Sequence, residues 1–185
     1  IILIFNGNYL AASWFILAAM AFDFLDGFAS RILNAYSDLG KELDSLADVV
    51  SFGVAPGLMI FSKLESSFER LAQNDGIRGI ILDYFPFVIA VLVLVCAGIR
   101  LAKFNTDTEQ ATSFKGLPTP AAALAVVTVI MASGYQASEA IDAFLASPLL
   151  LTLFALAISG LMVSRIPLIS FKFKHMRLKG NEGRY

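Results

Sequence analysis

Asp23-Phe24-Leu25-Asp26-Gly27-Phe28-Ala29-Ser30-Arg31, followed after eight residues by Gly40-Lys41-Glu42-Leu43-Asp44-Ser45-Leu46-Ala47-Asp48, decides how the chain is read. Acidic side chains are costly where these lie, at the ends of two segments apolar enough to enter a bilayer. On a helix of 3.6 residues per turn, Asp23 and Asp26 are three apart and Asp44 and Asp48 four apart, so each pair shares a face. Like charges at that spacing repel unless something positive sits between them. Two helices joined by the short polar link Asn34-Ala35-Tyr36-Ser37-Asp38, with Ser37 or Asp38 as N-cap, would bring the pairs together around a bound cation.

The neighbours of the acids fit a phosphate-bearing ligand. Gly27 lies one turn beyond Asp23 and Gly40 one turn before Asp44, although glycine costs a helix about 1 kcal/mol relative to alanine. Each leaves a gap beside a carboxylate. Arg31, one turn further on the Asp23–Gly27 stripe, offers a planar fork suited to phosphate. Carboxylates for a metal, gaps for a ligand and an arginine for phosphate point to metal-assisted phosphoryl chemistry.

Composition places this block in a membrane protein. The 185 residues are 57% hydrophobic and 16% charged, against roughly 25% charged in soluble domains. The expected fold is all-α: a polytopic transmembrane bundle of about six helices, residues 1–185 forming a single domain with no hydrophilic linker. Ile1–Phe5 reads as the end of a truncated first helix. Full spans are expected at Tyr9–Leu33, Lys41–Phe61, Gly79–Phe104, Leu117–Tyr135 and Pro148–Ile166, each near the roughly 20 residues a bilayer core requires. Ser62–Arg78 reads as an amphipathic, partly helical outer loop and Ala137–Ser147 as a second outer loop. The chain is expected to be a fragment truncated at both ends.

Basic residues set the orientation. Arg31 and Lys41, then Arg100, Lys103 and Lys115, then Arg165 and a basic tail fall on one side, with only Lys63, Arg70 and Arg78 on the other. The bias places the aspartates at the cytoplasmic face of a multi-pass cell membrane. Cys96, the only cysteine, excludes an intrachain disulfide framework, and the lone His175 lies in the basic tail. The sixteen phenylalanines and Trp14 read as lipid-facing or packing residues.

At the acidic block the chain resembles the CDP-alcohol phosphotransferase family, whose signature is Asp-x2-Asp-Gly-x2-Ala-Arg-x8-Gly-x3-Asp-x3-Asp. Asp23, Asp26, Gly27, Arg31, Gly40, Asp44 and Asp48 match in identity and spacing, and Ser30 stands where the pattern has alanine. Three further stretches, Asp48–Pro56, Cys96–Asn105 and Phe114–Ala123, are similar to the phosphatidylserine synthase branch, with Lys103 in place of an expected arginine. The resemblance implies transfer of the phosphatidyl group of CDP-diacylglycerol to L-serine, releasing CMP. It implies Mg²⁺ or Mn²⁺ on Asp23, Asp26, Asp44 and Asp48, with Asp48 doubling as general base. Gly27, Ser30, Arg31 and Gly40 would line the nucleotide pocket. Membrane lipid is the expected surrounding, a homodimer the expected assembly, and no nucleic acid is expected as partner.

Plainer readings stand beside these. Ser51, Gly53 and Pro56 serve either substrate contact or close helix packing. Lys103 reads as a snorkelling anchor, whereas Arg100, deeper and near Gly98, suits phosphate or the serine carboxylate. Pro118 and Pro120 suit the start of a helix. Glycerol-3-phosphate or an inositol phosphate is the alternative acceptor and would need a richer phosphate clamp. A prenyltransferase would carry separate Asp-rich blocks. A divalent-cation transporter, the rival from another class, would hold its acids near the midplane, without an arginine beside them.

Overall fold

The computed structural model describes residues 1–34, 37–75, 80–106 and 114–168. Within them the chain forms α1 (Ile2–Phe5), α2 (Tyr9–Leu33), α3 (Asp38–Asp48), a π-helical segment π1 (Val49–Val54), α4 (Ala55–Asp75), α5 (Ile80–Thr106), α6 (Thr119–Gly134), α7 (Glu139–Ala146) and α8 (Pro148–Val163). Two-residue strands, β1 (Phe114–Lys115) and β2 (Pro167–Leu168), pair antiparallel. The fold is thus the expected all-α membrane bundle. Ala35 and Tyr36 of the polar link, Arg78, and the tail bearing His175 lie outside the described residues.

Side-chain caps mark the helix starts. The Asn8 side chain accepts from Ala11 N at the start of α2, Ser37 from Gly40 N at α3, Ser138 from Ala140 N at α7 and Ser147 from Leu150 N at α8. α2 stops where Asn34 turns left-handed, with φ 49°. Pro118 is the N-cap of α6 and Pro120 lies in its first turn, as the sequence predicts.

α5 is the centre of the bundle, packed most extensively on α8 and α4, while α2 rests on α6. Met59 and Leu64 of α4, Ala97 of α5 and Val127 of α6 are fully enclosed. π1 comes so near α5 that a Cβ on Gly53 would stand 3.2 Å from the Ala97 methyl. The packing role expected of this glycine is therefore met. The outside is apolar as well. Phe15, Phe22 and Phe28 of α2 and Leu149 and Leu153 of α8 are exposed, a surface suited to lipid rather than water.

Span lengths depart from the sequence expectation. Among the described residues three stretches, Tyr9–Leu33, Asp38–Ala72 and Tyr84–Thr106, are long and apolar enough to cross a membrane. α6 and α7, bent by 117°, make a fourth if taken together. α8 has 16 residues, about 24 Å of helix against a bilayer core of about 30 Å. The stretch from Ser62, expected to be a partly helical outer loop, continues α4 unbroken to Asp75. Leu64, Ser67 and Phe68 keep the helical face turned to the core, and Ser66, Ser67 and Arg70 bond back to carbonyls of their own helix. The loop expected after Ala137 holds α7, capped by Ser138.

Contacts divide the bundle into two polar ends. At one, Trp14 Nε1 donates to Tyr135 Oη (3.2 Å), Lys63 Nζ sits 4.2 Å from the Tyr9 ring centroid, and Ser67 Oγ donates to Leu145 O (2.8 Å). At the other, Asn105 donates to Ser45, Lys103 Nζ donates to Val163 O, and β1 meets β2. Among the described residues, segments of α3, α5 and α8 that the charge count assigned to one side of the membrane thus meet at one end of the bundle. Lys103 does more than snorkel, because it satisfies a carbonyl of the last turn of α8.

The Gly116 turn closes this second end. Gly116 has φ +78°, its N–H donates to Ile166 O, and a Cβ there would lie 2.6 Å from Ser164 O. Gly116→Ala is expected to destabilise the protein by about 1–3 kcal/mol through left-handed strain and backbone collision, measured as a lower Tm in detergent micelles.

Candidate active site

Three of the four acids meet. One carboxylate oxygen each from Asp23, Asp26 and Asp44 lies within 4.8 Å of the others. Asp23 is half-buried, whereas Asp26 and Asp44 are exposed. Asp48 stands outside this trio, one turn along α3 from Asp44, and is half-buried. The charges of Asp23, Asp44 and Asp26 all bear on it, that of Asp23 most strongly. Three acceptor-only oxygen donors this close repel one another, and a hard divalent cation such as Mg²⁺ or Mn²⁺ suits the donor set.

Beside the acids opens a cleft of about 1020 Å³ between the adjoining ends of α2 and α3. Gly27, Ser30, Arg31 and Gly40 all line it, together with Asp26 and Asp44. The four residues assigned to a nucleotide therefore share one cavity with two of the acids. Gly27 keeps its expected gap, with nothing within 4 Å of where a Cβ would stand. Gly40 does not, because the capping Ser37 hydroxyl fills that space, 2.9 Å from the same position. Ser30 turns its hydroxyl back on its own helix and donates to Gly27 O (3.1 Å), so it lines the wall without breaking α2.

Two expected substrate residues lie elsewhere. Ser51, on π1, borders an apolar groove of about 480 Å³ shared with α1 and α2. Arg100 is 4% exposed, with its guanidinium 5.5 Å from the Phe104 ring centroid and its Nε unpartnered. Phe104 in turn lines the large cleft, which places Arg100 close behind that wall. Sequence reading assigned no site role to Phe104 or Lys41, although both line the cleft. The available signals were position only: Phe104 is one turn beyond Arg100, and Lys41 follows Gly40.

Fold and site together define a helical membrane protein with an acid-lined cleft at one end of its bundle. The family model described as CDP-alcohol phosphatidyltransferase matches residues 1–159, and the chain belongs to that family. It is 34% identical over 178 residues to the CDP-diacylglycerol–serine O-phosphatidyltransferase of Bacillus subtilis, covering 96% of this chain and 85% of that protein. The Helicobacter pylori (strain 26695) protein of the same name is 34% identical over 175 residues, covering 93% and 66%. An archaetidylserine synthase from Methanothermobacter thermautotrophicus is 33% identical over 168 residues, covering 90% and 61%. Membership in a transferase family answers the cation-transporter alternative.

The open space at Gly27 yields a test. Gly27→Ala is expected to raise folding stability by up to about 1 kcal/mol through helix propensity, because the methyl meets no neighbour. The same methyl enters the cleft, so the KM for the nucleotide substrate is expected to rise. Tm and steady-state kinetics would move in opposite senses, and a rise in Tm with unchanged KM would remove Gly27 from the binding surface.

Proposed function

We propose that the protein transfers the phosphatidyl group of CDP-diacylglycerol to the hydroxyl of L-serine, forming phosphatidylserine and CMP. The observation that carries the reading is the gathering of Asp23, Asp26 and Asp44 at a cleft lined by Gly27, Ser30, Arg31 and Gly40. Serine is common to the names of the relatives, while their lipid parts differ, which supports serine as acceptor.

Asp23, Asp26 and Asp44 would hold Mg²⁺ or Mn²⁺, with Asp48 as the further carboxylate of the set. When bound, the cation neutralises the diphosphate and the charge of departing CMP. Gly27 and Gly40 admit the nucleotide against the helices, with Ser30 beside them, and Arg31 pairs with phosphate. Asp48, half-buried and apart from the trio, takes the proton of the serine hydroxyl. The serine oxygen forms its bond to the phosphorus bearing diacylglycerol as the bond from that phosphorus to the CMP oxygen breaks.

Arg100, the one buried charged side chain among the described residues, stands close behind the Phe104 wall of the cleft and is the residue we assign to the serine carboxylate. Glycerol-3-phosphate or an inositol phosphate would call for a richer set of pocket arginines to clamp its added phosphate, and Arg100 alone does not supply one. Ser51, in its apolar groove, contacts the lipid part of the substrate. The chain works as a single domain in the membrane, with the cleft on the cytoplasmic side, as the basic residues gathered there support. The homodimer rests on the family resemblance.

Full-length protein in micelles with CDP-diacylglycerol and Mn²⁺ is expected to release CMP with serine, and not with glycerol-3-phosphate, inositol phosphate or no acceptor. Chelation should abolish release, and Mg²⁺ or Mn²⁺ should restore it. Asp48→Asn should lower kcat by about 10²–10⁴-fold. Arg100→Gln should raise the KM for serine while leaving that for CDP-diacylglycerol nearly unchanged. Release with another acceptor would overturn the serine assignment, and no release with any acceptor would overturn the transfer.

A further inference from the structure

α3 carries two of the four acids yet contributes no buried residue to the core. Hydrophobic packing therefore does little to set its rotation. It is tied at its C-terminal end to π1, which continues it, and at its start to the Ser37 cap. Between these, a hydrogen bond reaches across to α5. Asn105 Nδ2, at the end of α5, donates to Ser45 Oγ at 2.7 Å, spanning 60 positions of sequence. The same hydroxyl donates to Lys41 O at 3.0 Å, so its donor and acceptor functions are both used in a fixed direction.

Ser45 follows Asp44 and precedes Asp48 by three residues. Neighbouring residues on an α-helix differ by about 100° in heading, so a bond at Ser45 fixes where both carboxylates point. Side-chain tips stand about 5–6 Å from the helix axis, so a rotation of about 20° would move a carboxylate by about 2 Å. Metal–ligand distances tolerate only about 0.2 Å. The partner is itself anchored: Lys103, two residues before Asn105, donates to Val163 O of α8, and Arg100 is enclosed in the core.

We infer that the Asn105–Ser45 hydrogen bond is a positioning device that sets the rotation of α3, and with it the carboxylates of Asp44 and Asp48, against the core helix α5. The inference rests on the metal-dependent transfer proposed above. Neither residue needs to touch substrate. Asn105 lies just beyond Phe104 of the cleft wall, so the same helix end that bounds the ligand space also holds the acids in register with it.

The test uses full-length protein in micelles as wild type, Ser45→Ala, Asn105→Ala, the double variant and Ser45→Thr, which keeps the hydroxyl. Mn²⁺ binding is read by electron paramagnetic resonance of free Mn²⁺, alongside kcat, both KM values and Tm. Ser45→Ala and Asn105→Ala are each expected to weaken Mn²⁺ binding about tenfold or more and to lower kcat, with the KM for serine little changed. The double variant should be no worse than either single one, because both remove the same bond. Ser45→Thr should bind Mn²⁺ as wild type does. Unchanged Mn²⁺ affinity in the single alanine variants, or losses that add in the double variant, would overturn the inference. If wild type bound Mn²⁺ but released no CMP with serine, the proposed reaction would fail, and the Mn²⁺ titrations would still decide this point.

Discussion

Mutual repulsion among carboxylates is the constraint around which this molecule is arranged. Asp23, Asp26 and Asp44 are brought within 4.8 Å with Asp48 close by, a grouping that resists assembly until positive charge joins it. The scaffold must therefore hold the acids from outside the cluster. α2 is held through its earlier turns, where Ala12, Ser13 and Ile16 are buried, leaving its acidic end to project beyond the packed region. α3 is held by its cap, by π1 and by a hydrogen bond from α5. Rigid parts lie behind the acids and open space lies in front, a division suited to a site that must receive a large charged ligand.

π1 is the joint of this arrangement. It starts immediately after Asp48 and leads into the most enclosed part of α4. An i→i+5 turn shifts the phase of side chains relative to an α-helix. The face that carries Asp44 and Asp48 before π1 is thereby turned relative to the face that carries Met59 and Leu64 after it. Gly53 permits the wider turn to lie directly on α5. Bacterial and archaeal relatives whose names specify different lipids align over most of this chain, as expected if the acid hairpin and its joint serve the chemistry and not the lipid type.

Much of this was legible because it is local. The i+3 pairing of Asp23 with Asp26, the Ser37 cap and the proline start of α6 depend on neighbours in sequence, and the structure bears these out. Hydropathy misjudged elements whose polar residues satisfy themselves. Ser66, Ser67 and Arg70 bond to their own helix, so α4 runs past the point where the apolar pattern weakens. α7 was hidden because eight residues carry little periodic signal. Gly40 looked like an opening beside Asp44, but spacing could not show that the capping hydroxyl fills it. The placement of Ser51 on an apolar groove, and of Arg100 behind Phe104, required the three-dimensional packing of π1 and α5.

The single tryptophan has a use beyond packing. Trp14 donates from α2 to Tyr135 at the end of α6, nine residues before Asp23 and so about 14 Å from it along the helix axis. With one indole in the chain, emission excited beyond tyrosine absorption has one source, and it follows the docking of α2 on α6 at the end opposite the acids. Loss of the bundle would alter that emission, whereas filling of the cleft would leave the indole's surroundings intact. The protein thus carries its own optical gauge of tertiary structure, separate in space from its chemistry.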